Sequence, residues 1–463
     1  MRRILLSSLL FACPALACAG PPAGQIDPTF WSSDGGVEGL QLEGFDIGGD
    51  LEDRAGGMAV DGLGRFLVVG MVEDSADRCL GVMRFTASGQ LDKNGFGFDT
   101  NAIPRGKICH TTPMVLEPAF PDMNVFPLTS GFLVSGIGQG GNPFVCRFAG
   151  DGDLIAGFGS SGCVILGNID VGVSWPAPDV IVADGSVLVV ANDRSGGMST
   201  PVLSRLALSD GALQPFGQDG FVSLLGIAAD AFVWDTLLTP DGDLIIVGNI
   251  VIEPNDTDAF IARFDLDSSA PDPNFSGDGM VRFKFNQVEL GQEYLQAVTM
   301  TADGDILAAG LAELPGAMGL ALLRVDAMTG TLSPSFNGGV PKLYDPCAAI
   351  GGCSPSVKDI LADDAQIVVV AGGPTAAPIV ARLKAIGDVD TEFGDQGTVV
   401  LEPVSRIAGA VLQEGRIVVA GTAPRTTTVL IGNVLSQIEH LDFGLLRLSD
   451  GRLFKDHFEA ITP

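Results

Sequence analysis

Histidine, tryptophan and tyrosine are almost missing from this 463-residue chain, which holds three His, three Trp and two Tyr. The histidines, His110, His440 and His457, lie far apart, so a histidine zinc site or a histidine general base has little support. No C-x-x-C pair argues for zinc or thioredoxin-like chemistry. H-E-x-x-H, G-x-S-x-G and P-loop signatures are absent as well, and with them the usual sequence marks of hydrolases and nucleotide enzymes. Trp and Tyr combine a large face with a polar tip, so their scarcity speaks against a broad carbohydrate-binding surface. Trp175, Trp234 and Tyr344 are the few such residues that could stand at a binding mouth. Basic side chains are also few. The 26 Lys and Arg face 56 Asp and Glu, for a net charge of −30, which repels phosphate backbones and excludes nucleic acid as a partner.

What is present begins with Arg2 and Arg3, the apolar run from Ile4 to Ala12, and small residues at Ala15, Ala17 and Ala19. That order reads as a secretory signal peptide over residues 1–19. The apolar run is too short for a permanent membrane span, and no transmembrane segment is expected in the mature chain. Cys18 beside Ala17 also fits a lipoprotein cleavage box, although Ala15 stands where that box prefers Leu. Export leaves the periplasm, the outer surface and the medium open as destinations. Six cysteines follow the leader: Cys79, Cys109, Cys146, Cys163, Cys347 and Cys353. An even number in an exported chain points to disulfides.

The dominant feature is repetition. VDTEFGDQGTVVL at 389–401 echoes PDPNFSGDGMVRF at 271–283 and IDPTFWSSDGGV near the start. The phenylalanine of this phrase occurs as Phe30, Phe96, Phe158, Phe216, Phe275, Phe336 and Phe393, roughly 57 to 66 residues apart. A short apolar strand follows each, then a second, then a tight turn such as Asp241-Gly242 or Asp303-Gly304 and another apolar run. Asp-Gly between apolar runs is a hairpin signal, because glycine accepts the positive φ that the turn needs. A fourth strand carries an arginine: Arg84, Arg147, Arg205, Arg263, Arg324, Arg382 or Arg447. Four hairpin-linked strands make an antiparallel blade, and seven blades arranged radially make an all-β, seven-bladed propeller spanning residues 20–463 with a short C-terminal tail. The strands are apolar almost throughout, as blades covered on both faces require. The arginines read as scaffold, since a guanidinium between apolar neighbours needs a carboxylate or carbonyls. Asp27, Asp92, Asp272 and Asp390, just before the phenylalanines, are the expected partners.

VDTEFGDQGTVVL, QEGRIVVAGT and FGLLRLSDGR together resemble the bacterial delta-60 repeat family. Its unit runs L-D-x-x-F-G-x-x-G-x-V, then A-V-A-x-x-x-D-G-K-I-x-V-A-G, then F-x-L-x-R-x-x-x-D-G. The resemblance covers nearly the whole mature chain. It implies an exported propeller-like protein and carries no catalytic residues to transfer.

A propeller must join its ends. The phrase after Phe30 has no preceding blade, so a strand within Gly36 to Leu42 is expected to complete the seventh blade as its outer strand. The tail LFKDHFEAITP, with Phe458 as an eighth echo, is the competitor for that place. The same strand order selects among the fifteen connectivities open to six cysteines. Cys79 with Cys109 and Cys146 with Cys163 each bridge adjacent strands of one blade, and Cys347 with Cys353 closes a short loop.

GIGQGG at 136–141 fits G-x-G-x-x-G, but NPFVCRF after it reads as a strand, so no helix N-terminus is there to hold a pyrophosphate. Calcium is the cofactor the sequence best admits, with Asp265, Asp267, Asp272 and Asp278 in DLDSSAPDPNFSGDG as ligands; turn-forming aspartate explains the same stretch. The reading that follows is an exported, non-enzymatic propeller, a monomer, that binds a protein or small ligand through its mouth or through loops such as Ala423 to Asp442. The alternatives are a hydrolase or lyase with a carboxylate-based site in the channel, and a purely structural envelope protein.

Overall fold

The computed structural model describes residues 22–450 apart from 31–38, 46–51, 74–77, 98–104, 112–121, 139, 173–175, 218–219, 227–229, 286, 289, 349–355, 373–376, 403 and 432–433. Every regular element among them is a strand, and the strands form seven antiparallel sheets. The first strand of each sheet lies against the first strands of its neighbours, and the ring closes where that of the seventh sheet meets that of the first. This is a seven-bladed β-propeller. No helix among the described residues is long and apolar enough to cross a membrane.

The innermost strands, in blade order, are Asp53–Val60, Asn124–Leu128, Asp179–Ala183, Ala231–Leu238, Glu293–Met300, Val357–Ala362 and Arg406–Gln413. The arginine strand is third from the axis, and the short strand after each phenylalanine is the outer edge of the same blade. In blade 6, for example, Ile379–Lys384 carries Arg382 and pairs with Thr398–Val400 beyond Phe393. The sequence unit and the blade are therefore offset by one strand. That offset leaves the last blade without an outer edge, and Leu40–Glu43 supplies it, with Leu40 opposite Leu446 and Glu43 opposite Phe443. The competing tail, 451–463, lies outside the described residues.

The core is divided into seven apolar slabs, one between each pair of neighbouring blades. The repeat phenylalanines lie in these slabs, six of them essentially without exposure. Arg84, Arg205, Arg382 and Arg447 lie 4.4–4.7 Å over the rings of Phe96, Phe216, Phe393 and Phe30. Arg84 donates to Asp92 at 2.8 Å, Arg382 to Asp390 at 2.8 Å, and Arg447 to Asp27 at 3.0 Å. Arg263 reaches Asp272 at 3.2 Å and also Asp241 and Asp243. Arg147 instead donates to the carbonyls of Leu208 and Ser209, in the next blade.

Arg324 shares two carboxylates, Asp305 at 2.7 Å and the solvent-facing Asp303. Asp303→Ala is expected to cost under about 1 kcal/mol, because Asp305 keeps the guanidinium paired and an exposed partner contributes little. A urea midpoint within error of the parent checks this.

Cys79 is bonded to Cys109 with Cα atoms 5.7 Å apart, and Cys146 to Cys163 at 4.0 Å, each joining the third and outer strands of one blade. Cys353, the expected partner of Cys347, lies outside the described residues. GIGQGG runs from strand Gly131–Ile137 through a turn into strand Pro143–Phe148. Residues Ala423 to Asp442, expected to form a loop, are instead mostly paired backbone. Strands Arg416–Ile431 and Val434–Leu448 stay in register from Ile417 opposite Leu448 to Ile431 opposite Val434. Thr426 to Ile431 are almost all β-branched, which favours this extension of the hairpin.

Candidate functional site

The innermost strands enclose a central channel whose cavity measures about 550 Å³ and is lined from all seven blades. Three of its acids, Asp179, Asp235 and Asp359, stand at one register position. Val233 and Asp235 flank a β-bulge at Trp234, Val357 and Asp359 one at Lys358, and Leu295 and Ala297 one at Gln296. A bulge turns an extra side chain out of the strand's alternation, and here it delivers Trp234, Gln296 and Lys358 to the channel. Gly248 and Gly310 stand opposite two of these bulges. A Cβ at either would lie 1.9 Å from the carbonyl of Phe232 or Tyr294, so the close approach requires glycine.

The polar residues at or beside this position bind each blade to the next. Asn124 of blade 2 donates to the carbonyl of Pro178 at 3.1 Å, ahead of blade 3. Asp179 of blade 3 accepts from the Thr236 backbone N–H at 3.1 Å and from its hydroxyl, in blade 4. Asp235 accepts from the Val298 N–H at 2.8 Å in blade 5, Gln296 from the Val357 N–H at 2.9 Å in blade 6, and Asp359 from the Ala410 N–H at 3.2 Å in blade 7. Five consecutive interfaces are thus joined around the channel by a side chain reaching forward.

Three of these joints are half-buried carboxyls lining the channel. Burial pushes Asp359 up to about 6 against the opposing hydrogen bond from Ala410 and the charge of Lys358. Burial raises Asp235 well above the usual carboxylate range, with the Asp179 charge adding to it, and burial likewise raises Asp179. Asp122 behaves oppositely. Burial works against its ionisation, but Lys358 and Arg406 outweigh it and hold the carboxyl low. Lys358 donates to Asp122 Oδ1 at 3.3 Å and Arg406 to Oδ2 at 2.9 Å. Trp234 donates its indole N–H to Asn249 at 2.7 Å and stands edge-on to Tyr294.

The channel acids Asp122, Asp179, Asp235 and Asp359 are not singled out by sequence reasoning; only superposing the units by strand register reveals three of them at one place. Tyr344 does not reach the mouth. It lies in an outer strand, Lys342–Tyr344, packed between blades 5 and 6. Trp175 and His457 lie outside the described residues, and His110 and His440 sit in the outer strand of blade 1 and the third strand of blade 7.

The acidic stretch proposed for calcium is not drawn to a point. Asp265 accepts the N–H groups of Asp267 and Ser268, Asp278 that of Met280, and Asp272 that of Asn274 while pairing with Arg263. Among the described residues no group of three or more His, Cys, Asp or Glu converges as a metal-binding set.

The hairpin beyond Ala423 rises at the face where the innermost strands begin, and its Leu441 bridges Glu52, just ahead of blade 1. Lys358 and Arg406 stand at the starts of their strands and Asp122 just ahead of Asn124–Leu128, so hairpin and ion cluster share one end of the molecule.

No protein family model matches the sequence, and no curated protein sequence does. Solved structures similar in chain path include the polysaccharide lyase Uly1, at TM-score 0.49 and 12% identity over 93% of this chain and 97% of that one. Sqt1 from Chaetomium thermophilum aligns at TM-score 0.42 and 12% identity over 88% of this chain and 99% of its own. A Mycobacterium tuberculosis puromycin-hydrolyzing peptidase aligns at 0.38 and 14% over 88% and 61%. None of these likenesses bears on what the channel holds.

Proposed function

We propose that this chain is an exported, non-enzymatic binding propeller of the delta-60 repeat type, with its ligand site in the central channel. One observation carries the non-enzymatic reading. Asp179 and Asp235 each accept backbone N–H groups on both carboxylate oxygens, Asp179 from Val180 and Thr236 and Asp235 from Thr236 and Val298. A general base must take up a proton, and backbone N–H groups on both oxygens oppose that while fixing the carboxyls as blade joints. Each carboxyl keeps a lone pair for a ligand's hydrogen bond. The two disulfides described within blades 1 and 2 and the leader-like start support export.

The second reading, a carboxylate hydrolase or lyase, is favoured by Asp359, whose pKa of about 6 suits proton transfer near neutral pH. A panel of glycans and peptides, followed by calorimetry and by product release, separates the two. Saturable binding without turnover is expected. Turnover that Asp359→Asn abolishes would establish the enzyme instead.

A further inference from the structure

The cation pair in the channel wall goes further, given that the channel is a binding site. Lys358 and Arg406 sit on neighbouring blades, one placed by a bulge and the other first in its strand. They converge on one carboxylate and take one oxygen each. That carboxylate does not belong to either blade. Asp122 precedes the innermost strand of blade 2 and reaches the pair past blade 1, across 236 and 284 residues of sequence. The three side chains are only 20–27% exposed, so the ions are substantially withdrawn from water.

Two features distinguish this cluster from a structural ion pair. An ammonium carries three donors and a guanidinium five, and Asp122 takes one from each. The remaining donor capacity belongs to side chains that line a 550 Å³ cavity. The pair is also held by a single residue just ahead of a strand, not by the repeated forward joints that lock the carboxyl ring.

We infer that Lys358 and Arg406 form a receptor for the carboxylate of a small ligand, and that Asp122 is an internal stand-in which the ligand displaces. The other acids of the cavity, with Asp359 next to Lys358 on one strand, set the rest of that ligand. Asp179, Asp235 and Asp359 share the cavity, so a second carboxylate there meets like charge, whereas an ammonium or hydroxyls find acceptors. Zwitterions and hydroxy acids are therefore favoured over dicarboxylates.

Calorimetry on the full mature chain tests this with γ-aminobutyrate, gluconate, succinate and the methyl esters of the first two. The acids should bind, the esters should not, and succinate should be weakest of the acids. Arg406→Gln should weaken binding by about 10- to 100-fold, the range for losing a charged hydrogen-bond partner. Asp122→Asn should tighten it, because the internal competitor is removed while its shape remains. Esters that bind as well as acids, or an Asp122→Asn protein that folds and binds no more tightly, would overturn the assignment. Should Asp122→Asn not fold, Arg406→Gln decides alone, since Asp122 keeps Lys358 as its partner. Silence from the acids alongside binding of a neutral glycan would reject the carboxylate receptor and leave the binding propeller standing. Silence from the acids and from the glycan and peptide panel together would reject both.

Discussion

Asp27→Ala is expected to lower the stability of the folded ring by about 3–5 kcal/mol, because it strands a buried guanidinium. Asp27 is 5% exposed and pairs with Arg447 through Nε at 3.0 Å and a terminal nitrogen at 2.8 Å. The pair joins the first described segment of the chain to its last strand. Around it, Asp27 N–H donates to the Arg447 carbonyl and Ser449 N–H to that of Gln25, both at 2.8 Å. Phe30 supplies the ring under the guanidinium. Arg84, Arg263, Arg324 and Arg382 pair with carboxylates inside a continuous run of chain, but Arg447 holds the first described segment to the last strand, so its loss also frees the outer strand Leu40–Glu43. Urea unfolding followed by circular dichroism reads the effect.

The pH dependence gives the same pair a second signature. Burial opposes ionisation of Asp27, yet hydrogen bonds from Thr29 and the charge and hydrogen bond of Arg447 hold its carboxyl below the usual range. A depressed carboxyl contributes stability above its unfolded pKa of about 3.9 and loses it as pH falls toward the folded value. The difference between parent and Asp27→Ala should therefore be full at neutral pH and shrink below about pH 4. Adding Arg447→Met should recover most of the loss, since neither charge is then buried alone. A cost under about 1 kcal/mol for Asp27→Ala would mean that the clasp contributes no more than a surface pair.

The scaffold was legible because its grammar is local and periodic. Phe393, the Asp-Gly turns and the arginine strand recur with the unit, and each has a short-range physical reason. The closing strand was legible by subtraction: an offset repeat leaves one edge open, and only one unassigned apolar phrase precedes the first blade. It begins at Leu40, later than Gly36, and runs one residue past Leu42 to Glu43. The long hairpin of blade 7 escapes the sequence reading because its length breaks the period, although Gly432-Asn433 between the apolar stretches Val429-Leu430-Ile431 and Val434-Leu435 is itself a turn signal.

The channel was hidden for a different reason. Asp179, Asp235 and Asp359 are three among 56 acidic residues, with nothing in their immediate neighbours to distinguish them. Their significance lies in register: they oppose Val190, Val247 and Val370, equivalent places in three second strands. Register is a property of paired strands, so it emerges only when the units are superposed on the blade. Asp122 is harder still. Its partners lie more than two hundred residues away, brought to it by ring closure, and no local pattern encodes that contact.

Asp359→Asn should stabilise the protein at pH 7–8, the opposite of what replacing a half-buried hydrogen-bonded carboxylate usually does. Burial raises the folded pKa to about 6, against about 3.9 in the unfolded chain. A group raised on folding contributes stability that is whole below the unfolded value and is lost as pH rises through the folded one. The loss accumulates between about pH 4 and pH 6 and stays constant above, reaching about 3 kcal/mol for a two-unit difference. Asparagine keeps an oxygen to accept from the Ala410 N–H, holds no charge at any pH, and so escapes that loss. The parent should thus become less stable from pH 4 to pH 7, and the variant should show a flatter profile and the higher midpoint at pH 7. Asp179 and Asp235 titrate in both proteins, and the Asp359 charge is one of those that raise Asp235, so the difference between the two profiles reports Asp359 together with its coupling to Asp235. A variant less stable than the parent at pH 7 would mean that the carboxylate itself, through the Ala410 joint or Lys358, holds blades 6 and 7 together more strongly than its burial disfavours it.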